Sequence, residues 1–527
     1  MHLRTFARSA VLAAAVSLAV APARAAAQSD LLTPAERSGF TAYTPYADMM
    51  EYLEALRSTS PEMWLGTYGT THQGRDLPYA VFSRPSVSTP AEAWALGRPI
   101  ITLNANVHGG ERTLRESVLI LMREFVTPGT EAHRLLDDLV VVVAPQINPD
   151  GFEATERGTR GNSWGIDMNR DWVKREQPAL TAYGMNVVDE WTPHILVDGH
   201  NGGAFPYHIT YQCPSHAEPD QRLTQMCDEG IFPEIDRRVD AIGYKSWFYA
   251  RGTETRWNGG GYDARIGRNY SGFINTIGIL FESPGWQEME SGVPAGLEAF
   301  KAVLGYAAEN ADAVLETVAR ARRETIEMGQ QARGDVVVAM EYAPQPRTVT
   351  YEIGVRDDED EDPRIVEVTN DSLMTRPVAT KTRPRPYAYV LPRDAVDAVA
   401  LLRRNSISVE VLTRPMELEL DAYVVEGVEF ERAYNHAAAV RLELADDVVS
   451  RTETLPAGTY VVRTGQMRGR LAAHMLEPET NDNVIYWNTM DAWLPLRAVL
   501  GGESEEPALA PIWKLMQPTG LPLRLVN

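Results

Sequence analysis

Between residue 78 and about residue 285 the chain alternates short apolar runs with stretches of helical periodicity. Residues 99–107, 139–144, 194–198 and 276–281 are runs of Val, Ile, Leu, Phe and Ala, short and bounded enough to read as buried strands. Between the first two, Leu114, Val118, Leu121 and Phe125 recur at helical spacing and predict a helix over 113–125 with those side chains inward. Upstream, Tyr46, Met50, Leu53 and Leu56 share one helical face. Residues 295–332 read as one long helical stretch that closes this part of the chain. Strands alternating with helices predict an α/β domain, with a mixed, mostly parallel central sheet flanked by helices, over about 38–333. After residue 334 the texture changes. Residues 336–340, 348–355, 387–391 and 408–412 are β-like, and a smaller, β-rich α+β domain is expected over 334–527, with no role assigned to it. There is no internal repeat, and Trp487 and Trp493 are expected in its core.

The length of 527 residues suits two or more domains of roughly 100–200 residues. The first 25 residues read as an export signal: Arg4 and Arg8, an apolar stretch from Ala10 to Ala21, and the small-residue site Ala23-Arg24-Ala25. That stretch is too short to span a bilayer, which takes about 20 apolar residues, and stable membrane insertion is not expected. Structured sequence resumes about a dozen residues further on, leaving no room for a long inhibitory prosegment. The formal charge of −22 becomes −22 − 3 = −25 once Arg4, Arg8 and Arg24 are removed. So acidic a chain argues against nucleic-acid binding, which rests on phosphate neutralisation by Lys and Arg. The run Asp357–Asp362 is expected as a solvated loop. Cys213 and Cys227 either pair or remain two buried thiols; two cysteines cannot build a thiolate zinc site. These features do not set the oligomeric state.

His108-Gly-Gly-Glu111 falls where a strand meets the following helix, the end of an open α/β sheet at which ligands bind. Two glycines permit a bend that aims the imidazole and the carboxylate at one point. Zinc accepts both donor types. His-x-x-Glu alone is a weak signal, but His200 stands just past another strand, and two His plus one Glu with a fourth position for water form a catalytic zinc site. Glu282 follows the apolar run Gly278–Phe281, where a carboxylate is costly unless paired or functional.

His108-Gly-Gly-Glu111, Asn148-Pro-Asp-Gly-Phe152, Asp167-Met-Asn-Arg170, His200 and Phe281-Glu282, in that order, resemble the zinc carboxypeptidases of the carboxypeptidase A type. Gly66-Thr-Tyr-Gly69 followed by Gly74-Arg-Asp76 looks like that family's early segment, and the resemblance covers about residues 40–310. It implies the carboxypeptidase-like fold and zinc, one per chain, on His108, Glu111 and His200. It implies Glu282 as general base and Arg160 polarising the scissile carbonyl, chosen over Arg157 by the Arg-x-x-Arg spacing. Asn169 and Arg170 would bind the substrate's terminal carboxylate, and Asp167 would orient a ligating His. For the family's mobile tyrosine, Tyr262 is favoured over Tyr270. The specificity pocket, about fifteen residues before the base, falls at Gly267-Arg268-Asn269, so Arg268 implies a preference for C-terminal Glu or Asp. Only 89 residues separate Glu111 from His200, fewer than in the digestive enzymes.

The resemblance implies a secreted or periplasmic metallocarboxypeptidase acting on the C-termini of peptides or proteins. Zinc deacylases of N-acyl amino acids and peptidoglycan-peptide hydrolases use related sites, and a non-catalytic binding protein is the reading from a different class.

Overall fold

The structure is a computed structural model that describes residues 31–356, 362–499 and 507–526. The expected export signal and all of the acidic run except Asp362 lie outside the described residues. Ten strands precede residue 283: β1 (Met63–Thr70), β2 (Asp76–Phe82), β3 (Ile100–Ala105), β4 (Val140–Ala144), β5 (Ile195–His200), β6 (Ile209–Gln212), β7 (Ser246–Phe248), β8 (Ala250–Gly252), β9 (Trp257–Gly259) and β10 (Ile277–Glu282). Eight of them form one sheet in the order β1-β2-β4-β3-β5-β10-β6-β7. Its centre, β4-β3-β5-β10, is parallel, and antiparallel β2 and β6 flank that centre. This is the mixed α/β sheet with flanking helices that the apolar runs predict.

The central strands read as unbroken apolar runs because both faces are buried. Ile101, Leu103, Val197 and Ile279 face the helices Thr113–Val126 and Met289–Glu309. Ile100, Val142 and Leu196 face the other way, into a core that includes Trp172 and Tyr183 but also Tyr389, Leu402 and Trp487 from beyond residue 334. The C-terminal part therefore covers one face of the eight-stranded sheet.

Two boundaries differ from expectation. The strand expected over 99–107 stops at Ala105, because Asn106 takes a left-handed φ of 59°. The helical stretch expected over 295–332 is two helices, Met289–Glu309 and Ala311–Gln330, broken at Asn310, which leaves helical geometry at φ −118° and ψ 32°. Cys213 and Cys227 are joined in a disulfide, with Cα atoms 6.4 Å apart. Trp487 is buried as expected, and Trp493 is half-buried.

Past residue 334, β11 (Asp335–Pro344) and β14 (Leu373–Pro384) complete a four-stranded sheet, β11-β14-β9-β8, that draws two of its strands from the catalytic half. β12 (Val349–Val355) and β13 (Arg364–Asn370) form a hairpin. A seven-stranded sheet has the order β18-β17-β20-β15-β19-β16-β21, with β15 (Ala388–Leu391), β16 (Glu410–Leu412), β17 (Met416–Ala433), β18 (His436–Leu455), β19 (Tyr460–Arg463), β20 (Trp513–Leu515) and β21 (Leu523–Leu525). The long β17–β18 hairpin is absent from the sequence expectations, although Leu418, Leu420 and Ala422, all buried, alternate with Glu417, Glu419 and Asp421. Among the described residues no helix is long and apolar enough to cross a membrane.

A buried ion pair crosses between the two halves. Arg385 Nη2 lies 2.5 Å from Glu218 Oε1, with both side chains 2% exposed, and Glu218 Oε2 accepts the Val337 N–H at 2.9 Å. Removing Arg385 leaves buried Glu218 with only Arg470, 3.6 Å away, as its cation. Arg385→Ala is expected to destabilise the fold by about 3–5 kcal/mol, read as a shift of the urea-unfolding transition; an unshifted transition would show that the pair adds nothing.

Candidate active site

The site collects at the carboxyl ends of β3, β5 and β10. His200 is the last residue of β5 and Glu282 the last of β10, and the two stand opposite each other in the parallel register. His108 and Glu111 occupy the loop after β3. Left-handed Asn106 starts that loop, and its side-chain amide donates to the carbonyl oxygens of His108 (2.9 Å), Gly109 (3.1 Å) and Glu111 (2.8 Å). Gly109 and Gly110 are not among the left-handed residues, so the bend is Asn106's work. The glycines allow close approach instead: a Cβ on Gly109 would lie 2.1 Å from the Gly151 carbonyl carbon, and one on Gly110 would lie 3.2 Å from the Arg157 carbonyl oxygen. Asn148 fixes the opposing loop, with Nδ2 donating to Val107 and Gly161 and Oδ1 capping the turn at Gly151. Asp150 binds Arg75 at 2.6 Å and Thr71 at 2.8 Å, tying the Gly74-Arg-Asp76 segment to the same loop.

Three donors converge. Glu111 Oε1 lies 2.8 Å from His108 Nδ1, Glu111 Oε2 lies 2.8 Å from His200 Nδ1, and the two Nδ1 atoms are 3.2 Å apart. The far side of each ring is held by a buried carboxylate: His108 Nε2 by Asp167 Oδ1 at 2.9 Å, and His200 Nε2 by Asp198 Oδ2 at 2.8 Å. An Nε2–H bound to a carboxylate leaves the Nδ1 lone pair facing the cluster, the tautomer a metal ligand needs. Two imidazoles and a carboxylate are a donor set that zinc accepts, so these residues fit that ion. Asp198 escaped the sequence reading. The signal was present, since side chains two apart on a strand share a face. Asn104 Nδ2 donates to Asp198 Oδ1, and Tyr183 donates to Asn104 Oδ1 at 3.0 Å.

Around this trio the structure gathers most of the other expected residues. Arg160, though exposed, has Nε 2.9 Å from Asp167 Oδ2 and Nη1 3.3 Å from Glu111 Oε1. Asn169 is buried, its backbone N–H donating to Asp167 Oδ1 at 2.8 Å and its Oδ1 accepting the Gly267 N–H at 2.9 Å. Arg170 is half-buried and donates to the Asn169 carbonyl at 3.0 Å. Glu282 is buried, and among the described residues its Oε2 has no hydrogen-bond partner. Burial first, and then the Glu111 charge, push its carboxyl up to about 7. A Cβ on Gly202 would lie 2.8 Å from that Oε2, so the glycine after His200-Asn201 leaves room for the carboxylate.

Arg268 is buried and has no carboxylate partner among the described residues; it donates to the Gly261 carbonyl, with the Ser215 hydroxyl 3.5 Å away. Burial pushes its guanidinium below the ordinary value, with Tyr342 and Tyr249 opposing the shift. Asp263 faces Arg265 and Asn481. Tyr262 is 36% exposed and meets Tyr342 edge-on at 5.7 Å. Tyr270 is fully buried, bonded to Arg175 at 2.7 Å and to Asn405 at 3.0 Å. Tyr249, which the sequence did not single out, also lies within reach of the site's charges. Burial raises its phenol, and the charges acting on it are those of Glu282, Arg268, Glu111 and Arg170.

A two-His, one-Glu cluster at the carboxyl ends of a parallel sheet, beside a buried unpaired carboxylate, has the make-up of a metallohydrolase site. Residues 49–195 match the zinc carboxypeptidase family. The chain is 26% identical over 438 residues to Carboxypeptidase 2 of Trichophyton tonsurans, covering 78% of each chain. It is 26% identical over 436 residues to Carboxypeptidase 2 of Trichophyton rubrum, again covering 78% of each. A solved metallo-carboxypeptidase from Burkholderia cenocepacia is similar at 17% identity and a TM-score of 0.41, over 51% of this chain and 71% of that one. The chain thus carries a zinc carboxypeptidase match over residues 49–195, and relatives aligned with 78% of it are carboxypeptidases.

The carboxylate behind His200 gives a direct check. Partners of this kind typically hold metal affinity up by 10–100-fold. Asp198→Asn is expected to weaken zinc binding by about that factor while the fold persists, measured by competition with a chelator. Unchanged affinity would show that Asp198 does not orient the ring.

Proposed function

We propose that the chain is an exported zinc carboxypeptidase that removes C-terminal residues from peptides or proteins, holding one zinc on His108, Glu111 and His200. The convergence of these three donors beside buried Glu282 carries the reading. Bound zinc supplies Lewis-acid chemistry, lowering the pKa of a water towards ~7 and polarising a carbonyl. The chain's own groups do the rest. Glu282, desolvated and raised to about 7, takes a proton from the attacking water and passes it to the leaving amine. Arg160 stabilises the negative charge that develops on the carbonyl oxygen. Arg170, next to Asn169, forms a charge-assisted bond with the terminal carboxylate, which restricts cleavage to chain ends. Asp167 orients the His108 ring. Tyr262 and Tyr249 are the tyrosines proposed to line the cleft. The apolar N-terminal segment with its small-residue site supports export.

In Glu282→Gln the proton acceptor is lost but the shape is kept. Turnover of free C-terminal peptides is expected to fall ~10²–10⁴-fold with zinc content unchanged. The unmutated enzyme is expected to cleave C-terminal amides poorly. Near-normal turnover by the variant, or equal cleavage of free and amidated peptides, contradicts the proposal.

Buried, unpaired Arg268 supports a preference for a substrate that brings its own carboxylate, C-terminal Glu or Asp, because an unpaired buried charge is expensive. The comparison is kcat/KM for matched peptides ending in Glu, Leu and Lys. Glu is expected to lead, by up to ~10⁴-fold, and Arg268→Ala to remove that lead. A ranking led by Leu or Lys, or one unchanged by Arg268→Ala, takes Arg268 out of the specificity pocket.

A further inference from the structure

The β17–β18 hairpin carries the C-terminal part of the chain into the catalytic cleft. Its turn is Tyr434-Asn435, with Asn435 in the left-handed region at φ 59°. Asn435 brackets the backbone of Asp167: its Nδ2 donates to the Asp167 carbonyl at 2.8 Å, and its Oδ1 accepts the Asp167 N–H at 3.3 Å. Asp167 is the residue that holds the His108 ring. Behind the turn, His436 Nε2 lies 2.6 Å from Asn488 Oδ1, and its ring meets Trp487 edge-on at 5.2 Å. The tip is thus fixed from both sides.

Tyr434 is held beside the cleft rather than packed into a core. It is 49% exposed, and its ring centroid lies 4.9 Å from the Arg170 guanidinium carbon. Among the described residues Arg170 has no carboxylate partner; its one recorded hydrogen bond goes to the neighbouring Asn169 carbonyl. A ring face held against a guanidinium leaves the N–H edge free to meet a ligand, because stacking uses the face and hydrogen bonding uses the edge. Arginine side chains are rotamer-rich, and a clamp already oriented loses less freedom when the ligand arrives.

We propose that Tyr434, fixed by Asn435, is a positioning residue for the terminal-carboxylate site: its ring holds the Arg170 guanidinium in plane, and the β17–β18 hairpin is a working wall of the active site. This rests on the reading of Arg170 as the carboxylate clamp. The ring does the work, not the hydroxyl. The ring acts on binding of a free C-terminus, not on the chemical step.

The test compares KM and kcat for one free C-terminal tripeptide in zinc-loaded full-length enzyme carrying Tyr434→Ala, Tyr434→Phe, Asn435→Gly or Arg170→Ala, and in the Tyr434→Ala/Arg170→Ala double variant. Glycine keeps the left-handed turn open while deleting the Asp167 bracket. Tyr434→Ala is expected to raise KM about 5–10-fold with kcat within about 2-fold, Asn435→Gly to raise KM similarly while also lowering kcat through Asp167, and Tyr434→Phe to behave as the unmutated enzyme. Adding Tyr434→Ala to Arg170→Ala is expected to raise KM no further. Melting temperatures should not move for the exposed Tyr434, which separates positioning from folding. If Arg170→Ala raises KM and Tyr434→Ala does not, or if the two effects add, the positioning role is wrong while the clamp stands. If Arg170→Ala leaves KM unchanged, the clamp reading falls and the role of Tyr434 falls with it.

Discussion

The site is built on one constraint: two imidazoles and a carboxylate must point at a common centre from separate, buried segments. The two Nδ1 atoms lie 3.2 Å apart, with Glu111 bridging them at 2.8 Å on each side. Rings this crowded do not hold their orientation by packing alone, and each is tethered at Nε2 by a carboxylate with little exposure of its own. The tethers are anchored in turn. Asp198 lies two residues before His200 on β5, so strand geometry puts both on one face. Asp167 sits in a loop and needs outside support, which comes from Arg160, the Asn169 backbone and Asn435. The parallel register then sets Glu282 opposite His200 at no further conformational cost.

The strands and the trio were legible in the sequence for a physical reason. A parallel strand buried on both faces is an apolar run, and a ligand at its carboxyl end is the polar residue where the run stops, as His200 and Glu282 are. What stayed hidden is what depends on backbone conformation or on distant segments. Nothing in the letters around His108 says that Asn106 makes the turn, or that Gly109 is small because Gly151 passes 2.1 Å from where its Cβ would be. The β17–β18 hairpin was legible in principle, from the alternation of Leu418, Leu420 and Ala422 with acidic residues, but where its tip lands depends on pairing across more than 250 residues. Tyr249 was hidden for the same reason: it lies 33 residues before Glu282 in sequence, beyond any local pattern, yet shares its electrostatic environment.

Residues 334–527 are bound into the catalytic half by backbone as well as by side chains. β9, at 257–259, pairs in parallel with β14, at 373–384, so a sheet crosses the boundary at which the sequence texture changes. The apolar face of β3, β4 and β5 that the helices Thr113–Val126 and Met289–Glu309 leave open is closed partly by Tyr389, Leu402 and Trp487. Lys174 and Arg265 each lie about 5 Å from the Trp487 ring, at 4.8 and 5.1 Å, so the polar rim of that shared core is also built from both halves. A segment whose strands and helices complete a core and bury an ion pair is constrained there, which leaves its loops as the parts free to acquire roles at the cleft.

The distribution of charge in the cleft runs against that of the chain. The formal net charge is −22, yet the groups around the trio that lack a carboxylate partner of their own are Arg170 and Arg268, with Arg160 sharing Asp167 and Glu111. Long-range repulsion of an acidic ligand by the surface is screened within ~8–10 Å at physiological salt, whereas a cation in a buried pocket is screened far less. The near field therefore decides what stays bound, and among the described residues Arg170 and Arg268 are its cations without a carboxylate partner. Arg268 is the costly member. It is desolvated, with a carbonyl, a distant hydroxyl and the nearby Tyr342, Tyr249 and Glu282 offsetting only part of that cost and Nε unpartnered. A fold that keeps such a group gives up stability at that position, and cleft residues are where proteins concentrate such losses. A ligand carboxylate would recover that loss on binding, because it supplies the charge the pocket lacks. Under the proposed reading, the destabilisation of the free enzyme at Arg268 and its selectivity for acidic C-termini are the same free energy, measured once without ligand and once with it.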